Sequence, residues 1–219
     1  RGAVIRKLHA VGTLGCAGVI CTDKTGTITQ NKMTVQRIWV PGRTLNVSGS
    51  GYRAQGAVEE NGRPVQAARD AALGRLCEAA SLCTTAHITR AKDVYDVMGD
   101  PTEVAVLVAA AKAGVTKEAL LQQYTVIGEN PFDAARKRMS VTVSGPGGAR
   151  LLCKGAPDML LARCTHIETP AGPRLLAPRD RADINAACAR MAGEALRVLG
   201  FAESSTPAAG EEKLCFLGL

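Results

Sequence analysis

The sequence is poor in aromatic residues and contains no long apolar run. Only 3% of its 219 residues are Phe, Trp or Tyr. Proteins that hold single-stranded nucleic acids stack the bases on aromatic side chains, so this scarcity argues against that function. The longest apolar run, at 104–111, is far shorter than the roughly 18 residues that a membrane-spanning helix needs. The sequence itself therefore predicts no transmembrane helix.

Metal-binding and disulfide patterns are also missing. The three histidines are isolated from one another, and the eight cysteines include no CxxC pair. Several cysteines lie in apolar helix or strand patterns, which favours buried free thiols in a reducing cytosol over a disulfide framework. We therefore expect no structural metal and no disulfide partner. The sequence has no signal peptide and no initiating Met, so we expect it to be part of a larger protein.

The formal net charge is +7. This charge suits a polyanionic ligand, but it is equally compatible with nucleic-acid contact or simple solubility. The basic residues are scattered, apart from the run Arg136-Lys137-Arg138.

The segment around Asp23 carries the clearest chemical signal. A short apolar run at 19–22 predicts a buried strand, with Asp23 at its carboxyl end. Residues 24–27 (KTGT) predict a turn. Because open α/β sheets bind ligands at the carboxyl ends of their strands, we expect Asp23 to project into a crevice. Asp is also a common turn residue at a strand end, which is the alternative interpretation.

A carboxylate in this position can attack the γ-phosphorus of ATP and form an acyl phosphate. Lys24 can offset phosphate charge, and Gly26 permits close backbone approach. Mg²⁺ would bridge the phosphoryl oxygens to the protein, with Asp23 and Thr25 as its candidate ligands. Thr25 stands where a hydrolytic phosphatase needs a second carboxylate, which favours a phosphoenzyme that persists.

Patterns elsewhere predict a mixture of helices and strands. Helical spacing and end signals predict helices at 65–82, 101–114 and 178–193. Strands are predicted at 124–128, 137–144, 149–154 and 196–202. Asp100 is suited to cap the second helix, and Glu103 stands where a capping box places a carboxylate.

These motifs resemble those of P-type cation-transporting ATPases, in particular the calcium-pump-like branch. The resemblance spans the whole chain and is carried by DKTGT and TQNKMTV (23–35), GDPTE (99–103), PFDAARKRMSV (131–141), KGAPD (154–158), ALRVLGFA (195–202) and EEKLCFLGL (211–219). It implies an α/β (α+β) fold, with an antiparallel sheet flanked by helices as a nucleotide-binding domain. This domain would be inserted in a partial HAD-like Rossmannoid phosphorylation domain. The implied boundaries are 1–30 for the phosphorylation domain, 31–210 for the nucleotide-binding domain and 211–219 for a return strand.

By the same resemblance, the nucleotide contacts are Glu103, Phe132, Lys137, Lys154, Gly155 and Arg197. Glu103 would face the adenine amino group, and Phe132 would stack on adenine, although a helix cap and a core Phe are the simpler interpretations. On its predicted strand, Lys137 alternates in step with the apolar residues, so its side chain would lie on their face, toward the nucleotide pocket. Lys154 would line the pocket floor, with a surface lysine as the alternative. The family often has Arg where this chain has Ala134, so phosphate contacts are expected to be fewer, or shared by Arg136 and Arg138.

The implied function is ATP binding and Mg²⁺-dependent phosphorylation of Asp23 in a pump that moves a cation. Calcium is favoured, and proton, sodium or manganese remain open. The implied partners are the remaining phosphorylation domain, an actuator domain and transmembrane helices, with no nucleic acid. Two alternatives stand beside this interpretation. The first is a soluble phosphatase with the same Asp loop, and the second is a non-catalytic adaptor or nucleic-acid module.

Overall fold

The structure is a computed structural model that describes residues 16, 18–52, 55–91 and 94–219. The chain divides into two compact units, residues 1–32 and 33–219. In the described part of the first unit, residues 19–23 form neither helix nor strand and pair with no strand. The side chains of Val19 and Ile20 are 83% and 77% exposed. The prediction of a buried strand at 19–22 is therefore wrong, because the described residues of this unit supply no neighbouring strand.

The described part of the second unit contains five α-helices. They are α1 (Ala71–Leu82), α2 (Pro101–Lys112), α3 (Lys117–Leu121), α4 (Pro157–Leu161) and α5 (Pro178–Gly193). Proline opens α2, α4 and α5, where its missing N–H costs no helical hydrogen bond. Helix α1 begins six residues later than predicted, because Asp70 caps it by accepting a hydrogen bond from the Leu73 N–H at 3.1 Å. No described helix is long and apolar enough to cross a bilayer.

Strands form three sheets in the described residues. The first is the antiparallel sheet of β1 (Arg37–Val40), β2 (Arg43–Val47), β3 (Val58–Glu60) and β4 (Arg63–Pro64). The second is the hairpin of β5 (His87–Ala91) and β6 (Val94–Met98). The third contains β7 (Thr125–Asp133), β8 (Arg138–Gly145), β9 (Gly148–Gly155), β10 (Cys164–Ile167), β11 (Arg174–Leu175), β12 (Gly200–Ser204) and β13 (Leu214–Gly218).

The seven strands of this large sheet lie in the order β11-β10-β13-β12-β9-β8-β7. Neighbouring strands are antiparallel except for β10 and β13, which run parallel. The predicted fold class, an antiparallel sheet flanked by helices, is confirmed.

The large sheet separates two hydrophobic cores. Along β9, Leu152 packs in the core that contains Leu73 of α1. Cys153, which points to the other face, packs in the core that contains Ile184 of α5. Because strand side chains alternate between faces, Lys154 shares the face of Leu152 and lies on the α1 side. This placement positions the site described below.

Strand β13 lies inside the large sheet, between β10 and β12. Residues 211–219 were expected to lie outside the nucleotide-binding domain, as a return strand toward another domain. The structure instead joins 214–218 to the sheet on both sides, and Leu214 and Phe216 are fully buried. The apolar run at 214–217 indicates a strand, but no local pattern shows which distant strands it pairs with.

The eight cysteines are all free thiols. Cys77, Cys83, Cys153 and Cys164 are buried, whereas Cys188 and Cys215 are partly buried. Cys16 and Cys21 are exposed, so the prediction of burial is wrong for these two residues.

Candidate functional site

Four strands of the large sheet meet at one end, which we call the Gly155 end. Asp133, the last residue of β7, pairs with Arg138, the first residue of β8. Arg138 pairs in turn with Gly155, the last residue of β9. Gly155 also pairs with Gly200, the first residue of β12. This continuous row brings segments that are far apart in sequence to the same edge of the sheet.

Lys154 and Glu103 form the best-defined contact at the Gly155 end. The Nζ atom of Lys154 lies 2.7 Å from Oε1 of Glu103, and their side chains are only 9% and 14% exposed. The other oxygen of Glu103 accepts hydrogen bonds from the Thr85 N–H and hydroxyl and from the Ala86 N–H, at 2.9–3.1 Å. The pair therefore ties the start of α2 to the end of β9 and to the loop before β5.

Glu103 remains ionised in this setting. Burial alone would raise its pKa, but the Lys154 ammonium and the hydroxyl groups of Thr85 and Thr84 lower the pKa to about 2. The capping-box interpretation is wrong for Glu103, since its carboxylate points to Lys154 and Thr85. Asp100 alone caps α2, accepting from the Thr102 and Glu103 N–H groups.

Gly155 is required by close packing. A Cβ atom at this position would lie 2.5 Å from both the Lys137 carbonyl oxygen and the Arg138 Cβ. The next residue, Ala156, donates its N–H to the same Lys137 oxygen at 2.9 Å. The KGAPD motif thus holds the backbone of Lys137 directly.

Lys137 does not lie on a strand, contrary to the prediction. It precedes β8 in a left-handed conformation with φ of 52° and is exposed. This conformation closes the turn between β7 and β8, in which the Lys137 N–H donates to the Asp133 carbonyl at 2.7 Å. The parity argument from the sequence fails because the turn breaks the alternation. The residue is left exposed at the Gly155 end.

Arg197 lies before β12 instead of within the predicted strand at 196–202. Its side chain is exposed, and Nη1 lies 3.4 Å from the hydroxyl oxygen of Thr102, at the start of α2. This long hydrogen bond places a guanidinium beside the helix that carries Glu103.

Phe132 is 63% exposed on the edge strand β7. The core interpretation of this residue is therefore wrong. A large apolar ring that stays in water is unfavourable unless another molecule covers it. It directly precedes Asp133 and therefore lies at the Gly155 end.

Arg136 and Arg138 are both engaged inside the protein. Each guanidinium donates to the Glu211 carboxylate, with the shortest contacts at 2.6 Å. The expectation that they share phosphate contacts in place of the residue at Ala134 is therefore not supported by their positions.

The predicted phosphorylation residues lie in the first unit. Thr25 has φ of −83° and ψ of 121°, and Gly26 has φ of 78° and ψ of −5°. These angles define a type II turn, which needs glycine at its third position. The Thr29 N–H closes the loop by donating to the Lys24 carbonyl at 3.0 Å. Asp23 precedes this turn in an extended conformation and is exposed.

The donor set of this loop suits a hard cation. Asp23 offers a carboxylate and Thr25 a hydroxyl and a carbonyl, and Mg²⁺ prefers such oxygen ligands. One carboxylate provides only part of an octahedral shell, so phosphate, water or other protein groups would supply the remaining ligands.

Two residues of the Gly155 end were missed by sequence reasoning. Thr85 binds Glu103 from an irregular loop, and Glu211 binds two arginines from another loop. Periodicity identifies faces of helices and strands, so neither position carried a signal. Glu211 does open the EEKLCFLGL motif, but nothing in that motif shows that its carboxylate contacts Arg136 and Arg138.

Comparison with known proteins identifies the family. Residues 72–219 match the model of P-type ATPase cytoplasmic domain N. The chain is 39% identical to a calcium-transporting ATPase of Bacillus subtilis, covering 99% of this chain and 25% of that protein. It is 36% identical to the cation-transporting ATPase pma1 of Synechocystis, covering 94% of this chain and 23% of that protein. Identity to the human calcium-transporting ATPase type 2C member 1 is also 36%, covering 99% of this chain and 23% of that protein.

The chain thus spans about a quarter of the length of these curated relatives. The matched region runs from the second residue of α1 to the end of the chain and includes the four strands that meet at the Gly155 end. On this evidence the chain belongs to the family of cation-transporting P-type ATPases and carries their cytoplasmic domain N.

Proposed function

We propose that residues 33–219 bind ATP at the Gly155 end and deliver its γ-phosphate to Asp23 in a cation-transporting pump. The observation that carries this proposal is the register of the large sheet. It brings three of the motifs with predicted nucleotide contacts to one edge, and the ion pair of Lys154 with Glu103 adds the fourth, although the contacts are spread over nearly a hundred residues of sequence. Residues 1–30 would belong to the phosphorylation domain into which this domain is inserted.

The adenine would bind beside Phe132 and Glu103. The exposed Phe132 ring offers a stacking surface, and stacking on an aromatic side chain contributes about 1–3 kcal/mol per base. Oε1 of Glu103 accepts a hydrogen bond from Lys154 at 2.7 Å. A carboxylate oxygen can accept a second hydrogen bond, so this atom is available to the adenine amino group.

The phosphates would be bound by cations at the same end. Lys137 and Arg197 are exposed, and neither is held by an ion pair within the described residues. Arg197 would exchange its long hydrogen bond to Thr102 for phosphate oxygens, which suit the planar guanidinium. Lys154 would fix the floor of the site through Glu103, and Gly155 would keep the backbone of Lys137 in place.

Phosphoryl transfer would take place on the Asp23 loop. The Asp23 carboxylate would attack the γ-phosphorus in line with the departing ADP oxygen and form an aspartyl phosphate. Lys24 would offset the charge of the phosphoryl oxygens. Asp23 and Thr25 would hold Mg²⁺, which neutralises phosphate charge when bound. Thr25 cannot act as a general acid or base at neutral pH, so it would not promote rapid hydrolysis of the product.

In the whole pump, this reaction would drive movement of a cation, and Ca²⁺ is the substrate that we propose. Support comes from the resemblance of GDPTE and the RKxMS run to the calcium-pump branch, and from relatives named as calcium-transporting ATPases. The ion ligands would lie in transmembrane helices, and an actuator domain would trigger dephosphorylation. The described units would then face the cytoplasm as part of an integral membrane protein.

A full-length pump carrying this chain tests the proposal. With radiolabelled ATP, Ca²⁺ and Mg²⁺, the wild-type pump should incorporate phosphate, and Asp23→Asn should abolish incorporation while nucleotide binding persists. The isolated chain should bind ATP but neither phosphorylate itself nor hydrolyse a simple phosphomonoester. Hydrolysis of such an ester by the chain, lost in Asp23→Asn, would favour the phosphatase alternative. Salt-dependent oligonucleotide binding without any response to ATP would favour the adaptor alternative.

A further inference from the structure

The carboxylate of Glu211 is the most heavily hydrogen-bonded acidic group beside the Gly155 end in the described residues. It lies in the segment between β12 and β13, and its side chain is 10% exposed. It accepts hydrogen bonds from Asn130 at 3.3 Å, Arg136 at 2.6 and 2.8 Å, Arg138 at 2.6 Å and Ser140 at 2.8 Å. Five donor contacts from β7, β8 and their connecting turn thus meet on one carboxylate.

Glu211 approaches this turn from the sheet face opposite to Lys154. Arg138 and Ser140 alternate along β8 with Met139 and Val141, which pack in the core on the α1 side. Since alternate residues point to opposite faces, Arg138 and Ser140 point away from α1. The turn between β7 and β8 is therefore held by the backbone of Gly155 and Ala156 at the strand ends and by Glu211 on the second face.

Arg136 connects Glu211 to the backbone that carries the predicted nucleotide contacts. While its Nη1 donates to Glu211, its Nη2 donates to the Pro131 carbonyl at 2.7 Å. Pro131 directly precedes Phe132, and Arg136 directly precedes Lys137. A single guanidinium thus joins both ends of the turn to the Glu211 carboxylate.

A second carboxylate, that of Asp133, holds the backbone of the same turn. The Asp133 carboxylate accepts hydrogen bonds from the Ala135 N–H at 2.9 Å and the Arg136 N–H at 2.8 Å. These two hydrogen bonds fix the backbone of the turn but do not hold the Arg136 side chain. Among the described residues, only Glu211 and the Pro131 carbonyl accept hydrogen bonds from that guanidinium, so its orientation depends on the Glu211 charge.

Glu211 stays ionised in this arrangement. Burial would raise its pKa, but hydrogen bonds from Arg136, Ser140 and Arg138 lower it below the ordinary value. Charge-assisted hydrogen bonds are about twice as strong as neutral ones, and the fork of Arg136 can reach two acceptors at once. A neutral amide in place of the carboxylate would replace one of its two acceptor oxygens with an NH2 donor facing an arginine donor, and the contacts to the remaining oxygen would lose their charge assistance.

We propose that Glu211 is a positioning residue for nucleotide binding, which acts through Arg136 to fix Phe132 and Lys137 in the turn between β7 and β8. The expected effect on ATP binding rests on the proposed function, in which this turn carries Phe132 to stack on adenine and Lys137 to bind phosphate. Glu211 itself touches no nucleotide. Its loss should therefore weaken ATP binding by loosening the turn, without removing any group that contacts the ligand.

The first test measures the turn directly and needs no nucleotide. Amide hydrogen exchange is compared in wild type, Glu211→Gln and the control Glu212→Gln, which removes the same charge from the neighbouring position. Glu212 pairs with Arg163 at the exposed surface, where side chains are 52% and 37% accessible. In Glu211→Gln the Arg136 and Lys137 amides should exchange about tenfold faster, as expected for losing charge-assisted contacts.

Amides of the central ladder between β8 and β9 serve as an internal reference. Their protection should be unchanged in both variants if Glu211 acts on the turn alone. Unchanged exchange of the Arg136 and Lys137 amides in Glu211→Gln would overturn the proposal. An equal increase across the ladder would also overturn it, since that result indicates a general loss of stability.

The second test is calorimetric titration of ATP into the same three proteins, at a temperature where circular dichroism shows each to be folded. Glu211→Gln should bind ATP about fivefold to tenfold more weakly than wild type, and Glu212→Gln should match wild type within about twofold. Equal affinity of wild type and Glu211→Gln would overturn the positioning role. If folded wild type binds no ATP, the proposed function fails, and hydrogen exchange still decides whether Glu211 holds the turn.

Discussion

The ammonium nitrogen of Lys154 lies 2.7 Å from a carboxylate oxygen of Glu103, although 51 positions separate the two residues in sequence. This contact joins GDPTE to KGAPD, two motifs that the sequence offers as independent signals. Both side chains are largely buried, so neither behaves as a surface group. The pair is therefore part of the structure of the site as well as a candidate contact to its ligand.

Removing Lys154 should destabilise the domain as well as weaken nucleotide binding. Lys154→Ala leaves the Glu103 carboxylate buried with only its Thr85 and Ala86 partners. Loss of one hydrogen-bond partner from a buried polar group destabilises the folded state by about 1–3 kcal/mol. The free energy of unfolding, measured in denaturant titrations, should therefore fall by this amount. As a control, Arg179→Ala removes an exposed ion pair with Asp183, whose side chains are 92% and 62% accessible, and should change stability little. Equal effects of the two substitutions would contradict this account.

The ionisation of Glu103 predicts a pH dependence. Its pKa is about 2 in the folded protein and 4.5 as an unperturbed group, so the folded state favours the charged form. The resulting stabilisation is fully present above about pH 4.5 and is lost as the pH falls toward 2. Unfolding free energies of wild type and Glu103→Gln, measured between pH 7 and 3, should therefore converge on acidification. A difference that stays constant over this range would exclude Glu103 as the titrating group.

The close packing of Gly155 predicts a large effect from a single methyl group. In Gly155→Ala the new Cβ would meet the Lys137 carbonyl and the Arg138 Cβ, so the strand ends must separate. Overpacking of this kind costs about 1–3 kcal/mol, and it should also weaken ATP binding by displacing Lys137. Gly193→Ala is the matched control, because nothing lies within 4 Å of a Cβ built there. Thermal unfolding and ATP titration of both variants check the prediction, which fails if the two behave alike.

Thiol labelling should separate the cysteines into two groups. Burial raises the pKa of Cys77, Cys83 and Cys164 to about 12, so these thiols remain protonated and inaccessible at neutral pH. Cys16 and Cys21 are exposed and should react first with iodoacetamide in the folded protein. Mass spectrometry of peptides after brief labelling identifies the modified positions. Rapid modification of Cys83 without denaturant would contradict the buried position seen here.

The sequence predicted the fold class, the start of α2 and both ends of α5, because proline, capping residues and helical spacing are local signals. It failed where long-range pairing decides the outcome. β13 joins the large sheet through strands distant in sequence, and Lys137 leaves its predicted strand because a turn imposes a left-handed backbone. The motifs identified the candidate site residues, but only the register of β7, β8, β9 and β12 shows which strand ends lie next to one another.

The most direct test of the account is calorimetric titration of ATP, and then AMP, into the wild-type chain, Phe132→Ala and Lys154→Ala. The control is Leu175→Ala, which removes a residue 72% exposed on β11, at the opposite edge of the large sheet from Phe132. Wild type and Leu175→Ala should bind both nucleotides with Kd on the order of 0.1–1 mM, and the other two variants should lose detectable binding. Folded wild type that binds neither nucleotide, or Phe132→Ala and Lys154→Ala proteins that bind as well as wild type, would contradict the placement of the nucleotide site at the Gly155 end.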